Sequence, residues 1–311
     1  MMAPLALAAA YALDSAFGEP PNRLHPVAWM GSVITRARRW ALGSDETRAG
    51  RWGQLARGAV VALAIPAAFA VAAHVLVGAL GPSTWLGAVG TALLLKPMFA
   101  VRALRDAAYA VRDALERGDL ASARRGLGSL CSRKADDLEH EALVAATVES
   151  IAENISDSVV APLLFFACFG LEGAVFYRAV NTLDAMMGYH GHLEYAGKAA
   201  ARLDDLANLV PARFTAWLLL LAGALTGARV GRGIAILRRD GSRTESPNAG
   251  WPMATMAGLL GVRLTKAGHY ALGDAVHALA PSHITAAWRI ASLAAFGSLV
   301  TSALLSRYLH G

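Results

Sequence analysis

The segment from Gly58 to Leu95 decides the fold. It reads GAVVALAIPAAFAVAAHVLVGALGPSTWLGAVGTALLL and contains no Asp, Glu, Lys or Arg. Gly81-Pro82-Ser83 interrupts it, which leaves about 34 Å of helix up to Leu80 and about 27 Å from Thr84 to Val101. Because the hydrocarbon core of a bilayer is about 30 Å thick, each half suits one crossing. The segment therefore predicts a membrane hairpin.

The charges around this hairpin predict its orientation. Its turn is uncharged, whereas arginines lie on both flanks, and basic residues are enriched in the cytoplasmic segments of membrane proteins. We therefore expect both ends of the hairpin in the cytoplasm. The flanking arginines are Arg36, Arg38, Arg39, Arg48, Arg51 and Arg57 before it, and Arg102 and Arg105 after it.

The composition agrees with a membrane protein. Of the 311 residues, 55% are hydrophobic and 17% are charged, against about 45–50% and about 25% in soluble domains. This excludes an ordinary water-soluble enzyme. The net charge is +6, but the basic residues flank apolar segments instead of forming one stripe, which argues against nucleic-acid binding. The sequence contains no P-loop, GxGxxG, serine-hydrolase or zinc-protease signature.

The remainder of the chain is also predicted to be helical. Residues at about 102–153 are richer in charge and predict a cytoplasmic helical region with breaks at Gly118-Asp119 and Gly126–Ser129. We expect one integral membrane domain over residues 1–311, an all-α polytopic protein with four to six membrane segments. The further apolar segments are residues 1–13, Leu209–Ala228, Ser246–Val262 and Ile290–Ser306.

A glycine-rich break divides the apolar stretch over residues 159–187. Val159 to Phe169 supplies only eleven residues before Gly170–Gly173 interrupts, and Ala174 to Met187 then resumes. Half a membrane's length followed by a break predicts a re-entrant hairpin, which is tolerated where it is buried in protein or lines a cavity. The alternative is one continuous crossing from Val159 to Val180.

Three acidic residues precede this stretch at intervals of four. Glu149, Glu153 and Asp157 would form one line of carboxylates on a helix, about 6 Å apart, and such like charges destabilise a helix unless a cation compensates. Mg²⁺, which binds one or two carboxylates together with substrate phosphate, is one such cation. The alternative is a solvated helix face.

Two further polar groups follow. Arg178, Asn181 and Asp184 are three residues apart and lie on one side of a helix near the membrane, where ionisable residues are expensive and are functional candidates. Asp204 and Asp205 either bind Mg²⁺ or favourably begin a helix. An ion-pair network from Arg178 to Asp184 is the structural alternative for the first group.

A set of short motifs occurs in order along nearly the whole chain: Leu13-Asp14, Gly18-Glu19-Pro20-Pro21, Leu24-His25-Pro26-Val27, Val148–Asn154 with Asp157, Tyr177–Met186, Ala201–Asp205 with Asn208, Pro211-Ala212-Arg213 and Asn248-Ala249-Gly250-Trp251-Pro252. Together they resemble the CobD/CbiB family of cobalamin-biosynthesis membrane proteins, the adenosylcobinamide-phosphate synthases. The family often has a Gly-Arg-Asp-type stretch before the Glu149 helix, where this chain has Cys131-Ser132-Arg133.

The resemblance implies a ligase of the cytoplasmic membrane. With ATP and Mg²⁺ it would join a propionate carboxyl of adenosylcobyric acid, the corrinoid substrate, to aminopropanol as its O-phosphate. Its other partners would be membrane lipid and late cobalamin-assembly membrane proteins, without nucleic acid. Together with the patterns above, this assigns catalytic roles to Glu149, Glu153, Asp157, Asn181 and Asp184, substrate binding to Asp14, His25, Arg178, Asn208, Arg213, Asn248 and Trp251, and metal binding to Glu149, Glu153, Asp157, Asp204 and Asp205.

Two other classes stay open. An Mg²⁺-dependent membrane prenyltransferase would use Asn181-x-x-Asp184 and Asp204-Asp205 to hold a diphosphate in a helical bundle. A transporter would place the same residues at helix breaks near the bilayer midplane. Neither class accounts for the His25-Pro26 and Asn248–Pro252 motifs.

Cysteine labelling tests the orientation of the first hairpin. In a variant without Cys131 and Cys168, a cysteine introduced by Ser83→Cys should react with a membrane-impermeant maleimide from the non-cytoplasmic side, because the arginines hold both hairpin ends in the cytoplasm. Labelling from the cytoplasmic side alone would reverse the predicted orientation.

Overall fold

A computed structural model describes residues 2–43, 50–81, 83–133, 135–188, 191 and 193–310, so Arg48 and Pro82 of the predicted hairpin lie outside the described residues. The described chain is almost entirely helical. Its helices are α1 (Met2–Phe17), α2 (Pro26–Leu42), α3 (Arg51–Leu80), α4 (Trp85–Leu95), α5 (Val101–Glu116), α6 (Leu120–Leu127), α7 (His140–Ile155), α8 (Ala161–Met187), α9 (Lys198–Ala207), α10 (Leu209–Leu225), α11 (Val230–Asp240), α12 (Gly250–Leu260) and α13 (Ser282–His310).

Short elements connect these helices. Asn22–Leu24 and Lys96–Met98 are 3₁₀ turns, and Ser156–Val160 is a π-helical turn. Strands β1 (Leu264–Lys266) and β2 (Tyr270–Leu272) form an antiparallel hairpin. This hairpin is a small departure from the all-α prediction, because strands of three residues are too short to show an alternating pattern.

The chain packs as two compact units. Unit 1 comprises residues 1–100, 161–208 and 299–311, and unit 2 comprises residues 101–160 and 209–298. In unit 1, α8 packs along α3, α2 and α9, and α1 packs on α4. In unit 2, α12 packs against α11, α10 and α7. The expectation of a single domain over residues 1–311 stays a prediction.

The expectation of a polytopic helical membrane protein is confirmed. Four described helical stretches are long and apolar enough to cross a bilayer, and a fifth is added if α9 and α10, which meet at a 45° bend, count as one span. The first predicted hairpin is present in part, since α3 ends at Leu80 and α4 begins at Trp85. Its second half is not one helix to Val101, because α4 ends at Leu95 and the 3₁₀ turn of Lys96–Met98 follows. Thr84 caps α4 by accepting a hydrogen bond from the Gly87 N–H at 3.0 Å.

The predicted breaks in the charged region are also present. Helix α5 ends at Glu116 and α6 spans Leu120–Leu127, so breaks follow both helices. The Asp119 side chain caps α6 and accepts a hydrogen bond from Ser122 N–H at 2.9 Å. That this region is cytoplasmic stays a prediction.

The chain reverses direction at Gly170, as the hairpin interpretation requires. Gly170 has φ +70° and ψ −162°, which is not helical. The rings of Phe165 and Tyr177 lie 5.0 Å apart, whereas twelve residues of straight helix would separate them by about 18 Å. The interpretation as one continuous crossing is therefore wrong.

The first limb of this hairpin is longer than predicted. Helical backbone continues from His140 through the π-turn to Phe169, so the eleven residues from Val159 are only its last part. The prediction of a half-length first limb is therefore wrong. The acidic residues before Val159 lie within this limb and do not mark where it begins. Polar side chains do not end a helix whose backbone hydrogen bonds continue.

Gly173 allows the two limbs of the Gly170 hairpin to touch. A Cβ atom at Gly173 would lie 2.6 Å from both the Phe165 carbonyl oxygen and the Phe169 Cβ. Gly173→Ala should therefore destabilise the protein by about 1–3 kcal/mol, the usual cost of overpacking. Thermal unfolding in detergent measures this.

Gly78→Ala is the matched control for Gly173→Ala. Gly78 is a helical glycine of α3, and a Cβ there would meet nothing within 4 Å. Its replacement should leave stability unchanged or raise it by up to about 1 kcal/mol. Equal effects of the two substitutions would contradict the close contact at Gly173.

Candidate functional site

Five polar residues of α8, α9 and the α9–α10 junction form the α8–α9 cluster: Tyr177, Asn181, Asp184, Asp204 and Asn208. Asn208 donates from Nδ2 to Asp204 at 2.9 Å, and Asn181 donates to the other Asp204 oxygen at 3.4 Å. The Tyr177 hydroxyl donates to Asn208 Oδ1 at 2.8 Å. Tyr177 and Asn208 are buried, so this chain of hydrogen bonds fixes the orientation of the Asp204 carboxylate.

The cluster concentrates negative charge. Asp184, Asp204 and Asp205 are close enough for their charges to repel. Within the described residues, no lysine or arginine forms an ion pair with Asp184 or Asp204, whereas Arg202 lies 3.5 Å from Asp205. The Asn181 and Asn208 amides thus orient the Asp204 carboxylate without neutralising it, which favours a bound cation.

The described residues contain no preassembled group of three or more His, Cys, Asp or Glu suited to a metal. Mg²⁺ commonly uses one or two protein carboxylates, with waters and phosphate completing its shell. Metal binding by Glu149, Glu153, Asp157, Asp204 and Asp205 therefore stays a prediction.

In unit 2, two of the motifs meet around one arginine. Arg213 Nη1 donates to Asn248 Oδ1 at 2.5 Å, and its Nη2 donates to the Pro247 carbonyl at 3.3 Å. The guanidinium lies over the Trp251 ring, with Cζ 4.6 Å from the ring centroid. Helix α10 supplies Arg213, the turn before α12 supplies Pro247 and Asn248, and the first turn of α12 supplies Trp251. The predicted residues Arg213, Asn248 and Trp251 therefore form one contact group.

The predicted acidic line has a cationic partner within unit 2. Arg133 lies 3.2 Å from Glu149, and their side chains are 15% and 6% exposed. The pKa of Tyr270 is raised above its ordinary value, mainly by burial and secondly by the negative charge of Glu149. Strand β2 thus brings Tyr270 to Glu149, and the loop before α7 brings Arg133.

Asp157 departs from the predicted line. It lies in the π-turn that follows α7, where four residues no longer complete one turn, so only Glu149 and Glu153 keep the α-helical spacing. The three carboxylates therefore do not form the straight line that the sequence predicted. π-turns are frequent at functional sites.

The N-terminal motif residues meet around Lys96 in unit 1. Lys96 Nζ lies 3.4 Å from Asp14 and 3.0 Å from Glu19, and Glu19 accepts from His25 at 2.7 Å. Burial alone would raise the pKa of Glu19, but hydrogen bonds from His25 and Lys96 lower it below its ordinary value. Asp14 and His25 were predicted, whereas Lys96 was not.

Arg178 follows Tyr177 on α8 and is half-buried. Thr182 donates to its carbonyl at 2.7 Å. The structure thus brings together Asn181, Asp184, Asp204 and Asn208 in one unit, and Arg213, Asn248 and Trp251 in the other.

The sequence was compared with known proteins. The model of a family described as CobD/Cbib protein matches residues 7–291. A cobalamin biosynthesis protein CobD of Dehalococcoides mccartyi is 44% identical over 89% of this chain and 88% of its own length. One of Klebsiella pneumoniae is 38% identical over 92% of both chains.

An archaeal relative gives the same result. A probable cobalamin biosynthesis protein CobD of Methanothermobacter thermautotrophicus is 38% identical over 90% of both chains. No solved structure matches. These similarities do not favour the prenyltransferase or transporter alternatives.

Tyr177→Phe tests the hydrogen-bond chain of the α8–α9 cluster. The phenyl ring keeps its packing on Phe165, but the buried Asn208 Oδ1 loses its donor, which should cost about 1–3 kcal/mol of unfolding free energy. Urea or thermal unfolding in detergent measures it. Tyr195→Phe, at a residue that is 38% exposed, should change stability little. A Tyr177→Phe protein as stable as the parent would show that this bond does not support the cluster.

Proposed function

Since this chain belongs to the CobD/Cbib protein family and acts in cobalamin biosynthesis, we propose that it forms an amide bond between a propionate carboxyl of adenosylcobyric acid and aminopropanol O-phosphate. A carboxylate is a poor electrophile. ATP would convert it to an acyl phosphate and leave as ADP, and the amine would then displace inorganic phosphate and lose a proton.

The observation that supports this proposal most is the unneutralised charge of the α8–α9 cluster. Asp184 and Asp204 present carboxylate oxygens beside the Asn181 and Asn208 amides, and oxygen donors are the ligands that Mg²⁺ prefers. The residues present therefore fit a magnesium ion held by Asp184 and Asp204. When bound, Mg²⁺ would offset negative charge on phosphate oxygens.

The Arg213 group suits an anionic part of a substrate. Trp251 supports one face of the guanidinium, and the Asn248 and Pro247 oxygens fix its orientation. A planar guanidinium held in one orientation recognises carboxylate or phosphate with little loss of side-chain entropy. We therefore propose that Arg213 binds a corrinoid carboxylate or a phosphate.

The proposed setting is the cytoplasmic membrane. Four to five described spans support a multi-pass protein in contact with lipid. Adenosylcobyric acid, ATP and the amino alcohol are water-soluble and would enter from the cytoplasm. We propose that other late cobalamin-assembly membrane proteins receive the product.

Product analysis tests the reaction. Purified protein is incubated with adenosylcobyric acid, ATP, Mg²⁺ and either aminopropanol or its O-phosphate, and the corrinoid products are identified by mass. We expect the amide of the phosphate ester together with ADP. The absence of an amide with both amines would contradict the proposed reaction.

Asp204→Asn tests the α8–α9 cluster in the same assay. The amide keeps the size of the side chain but removes its charge, so activity should fall at least about 10²-fold. Asp106→Asn is the control, because Asp106 is 54% exposed and forms only surface ion pairs, which contribute little to stability. Full activity of Asp204→Asn at limiting Mg²⁺ would remove Asp204 from the site.

A further inference from the structure

An open cleft of about 760 Å³ lies within unit 2, outside the residues that the sequence predicted. Its walls are Arg133, Leu138 and Glu139, the first turns of α7, the β1–β2 hairpin with Arg263, and the segment from Ala275 to Leu279. Small-molecule sites have volumes of about 300–1,000 Å³. The cleft is therefore large enough for a cofactor or a small substrate.

Basic side chains outnumber acidic ones on the cleft wall. Arg133, Arg263 and Lys266 line it together with His269 and His277, and the acidic side chains on the wall are Glu139 and Glu141. Glu139 is 81% exposed, and its charge is partly offset by Arg124, which lies 3.7 Å away and does not line the cleft. The balance of charge therefore favours an anion.

Helix α7 begins at this wall. Its N-cap residue, Glu139, forms no side-chain capping bond, and Glu141 and Ala142 of the first turn line the cleft. The backbone N–H groups of a first helical turn lack helical partners. Together with the helix dipole they favour an anion such as phosphate.

Buried ionic atoms at the inner end of the cleft lack hydrogen bonds. Ala145 lines the cleft, and Glu149 lies one helical turn further along the same face, beside Arg133. In the part of the chain that the structure describes, Arg133 Nη2 and Glu149 Oε1 have no hydrogen-bond partner. Buried polar atoms normally have one. Arg133 also lines the cleft, so its Nη2 group, which is 3.2 Å from Glu149 Oε2, can donate to an anion bound there.

A buried carboxylate holds the hairpin side of the cleft in place. Asp240 is fully buried and accepts hydrogen bonds from Gly273 N–H and from Arg239, each at 2.8 Å. Arg243 lies 3.0 Å from its other oxygen. Because Gly273 directly follows β2, whose last residue Leu272 pairs with Leu264, this network fixes the open end of the hairpin, next to Arg263, as a preformed binding site requires.

We propose that this cleft binds the phosphate group of a reactant. Arg263, Lys266 and the first turn of α7 hold the phosphate, and Arg133 connects it to Glu149. The choice of reactant rests on the proposed function, which supplies two phosphorylated compounds, aminopropanol O-phosphate and ATP. Both share the chemistry that this cleft recognises.

Calorimetric binding to the full-length protein in detergent tests this proposal. The probes are aminopropanol O-phosphate and ATP, with aminopropanol and adenosine as phosphate-free counterparts. Arg263→Ala and Lys266→Met each remove one charged donor. Each should therefore weaken the binding of a phosphate probe about tenfold or more. Arg238→Ala, at an exposed arginine of α11 that does not line the cleft, should bind as the parent does.

The phosphate probe whose binding is weakened in the cleft variants identifies the reactant. Weakened binding of either probe supports the cleft as a phosphate site. The proposal fails if the parent binds neither phosphate probe, if both cleft variants bind like the parent, or if Arg238→Ala weakens binding equally. A parent protein that binds a phosphate probe but forms no amide would contradict the proposed reaction and leave the cleft assignment standing.

Discussion

The structure depends on the pairing of ionisable side chains within helices that are otherwise apolar. Charges are expensive away from water, and a buried charge is tolerated where an opposite charge or hydrogen bonds meet it. In unit 1, Lys96 meets Asp14 and Glu19. In unit 2, Arg133 meets Glu149. Lys96 lies 82 residues from Asp14, and Arg133 lies 16 residues from Glu149, so each pair fixes how separate segments pack within its unit.

The α8–α9 cluster follows a different rule. Neutral donors from Asn181 and Asn208 meet Asp204, and within the described residues no arginine or lysine pairs with it. A hydrogen bond orients a carboxylate while leaving its charge in place. An ion pair, in contrast, neutralises that charge.

Local patterns made part of this structure predictable. The lack of charge from Gly58 to Leu95 and the glycines after Phe169 are visible within a short window, and both hairpins were found there. The order of the motifs grouped Arg213 with Asn248 and Trp251 as members of one family pattern. It did not predict that these three residues contact one another. Lys96 and Arg133 were missed, because their partners are distant in sequence and no spacing rule relates them. The β1–β2 hairpin was missed because its strands are too short.

The Asp14–Lys96 pair affects how the protein is made. Lys96 follows Asp14 by about 80 residues, and at roughly 5–20 residues per second a ribosome needs about 4–16 s to synthesise that length. During this interval α1 has been made, but its acidic residue lacks the lysine that meets it in the folded protein. Helix α1 can therefore reach its final position only after α4 and the turn that follows it have been synthesised. A helix that is synthesised early is in this respect among the later ones to settle.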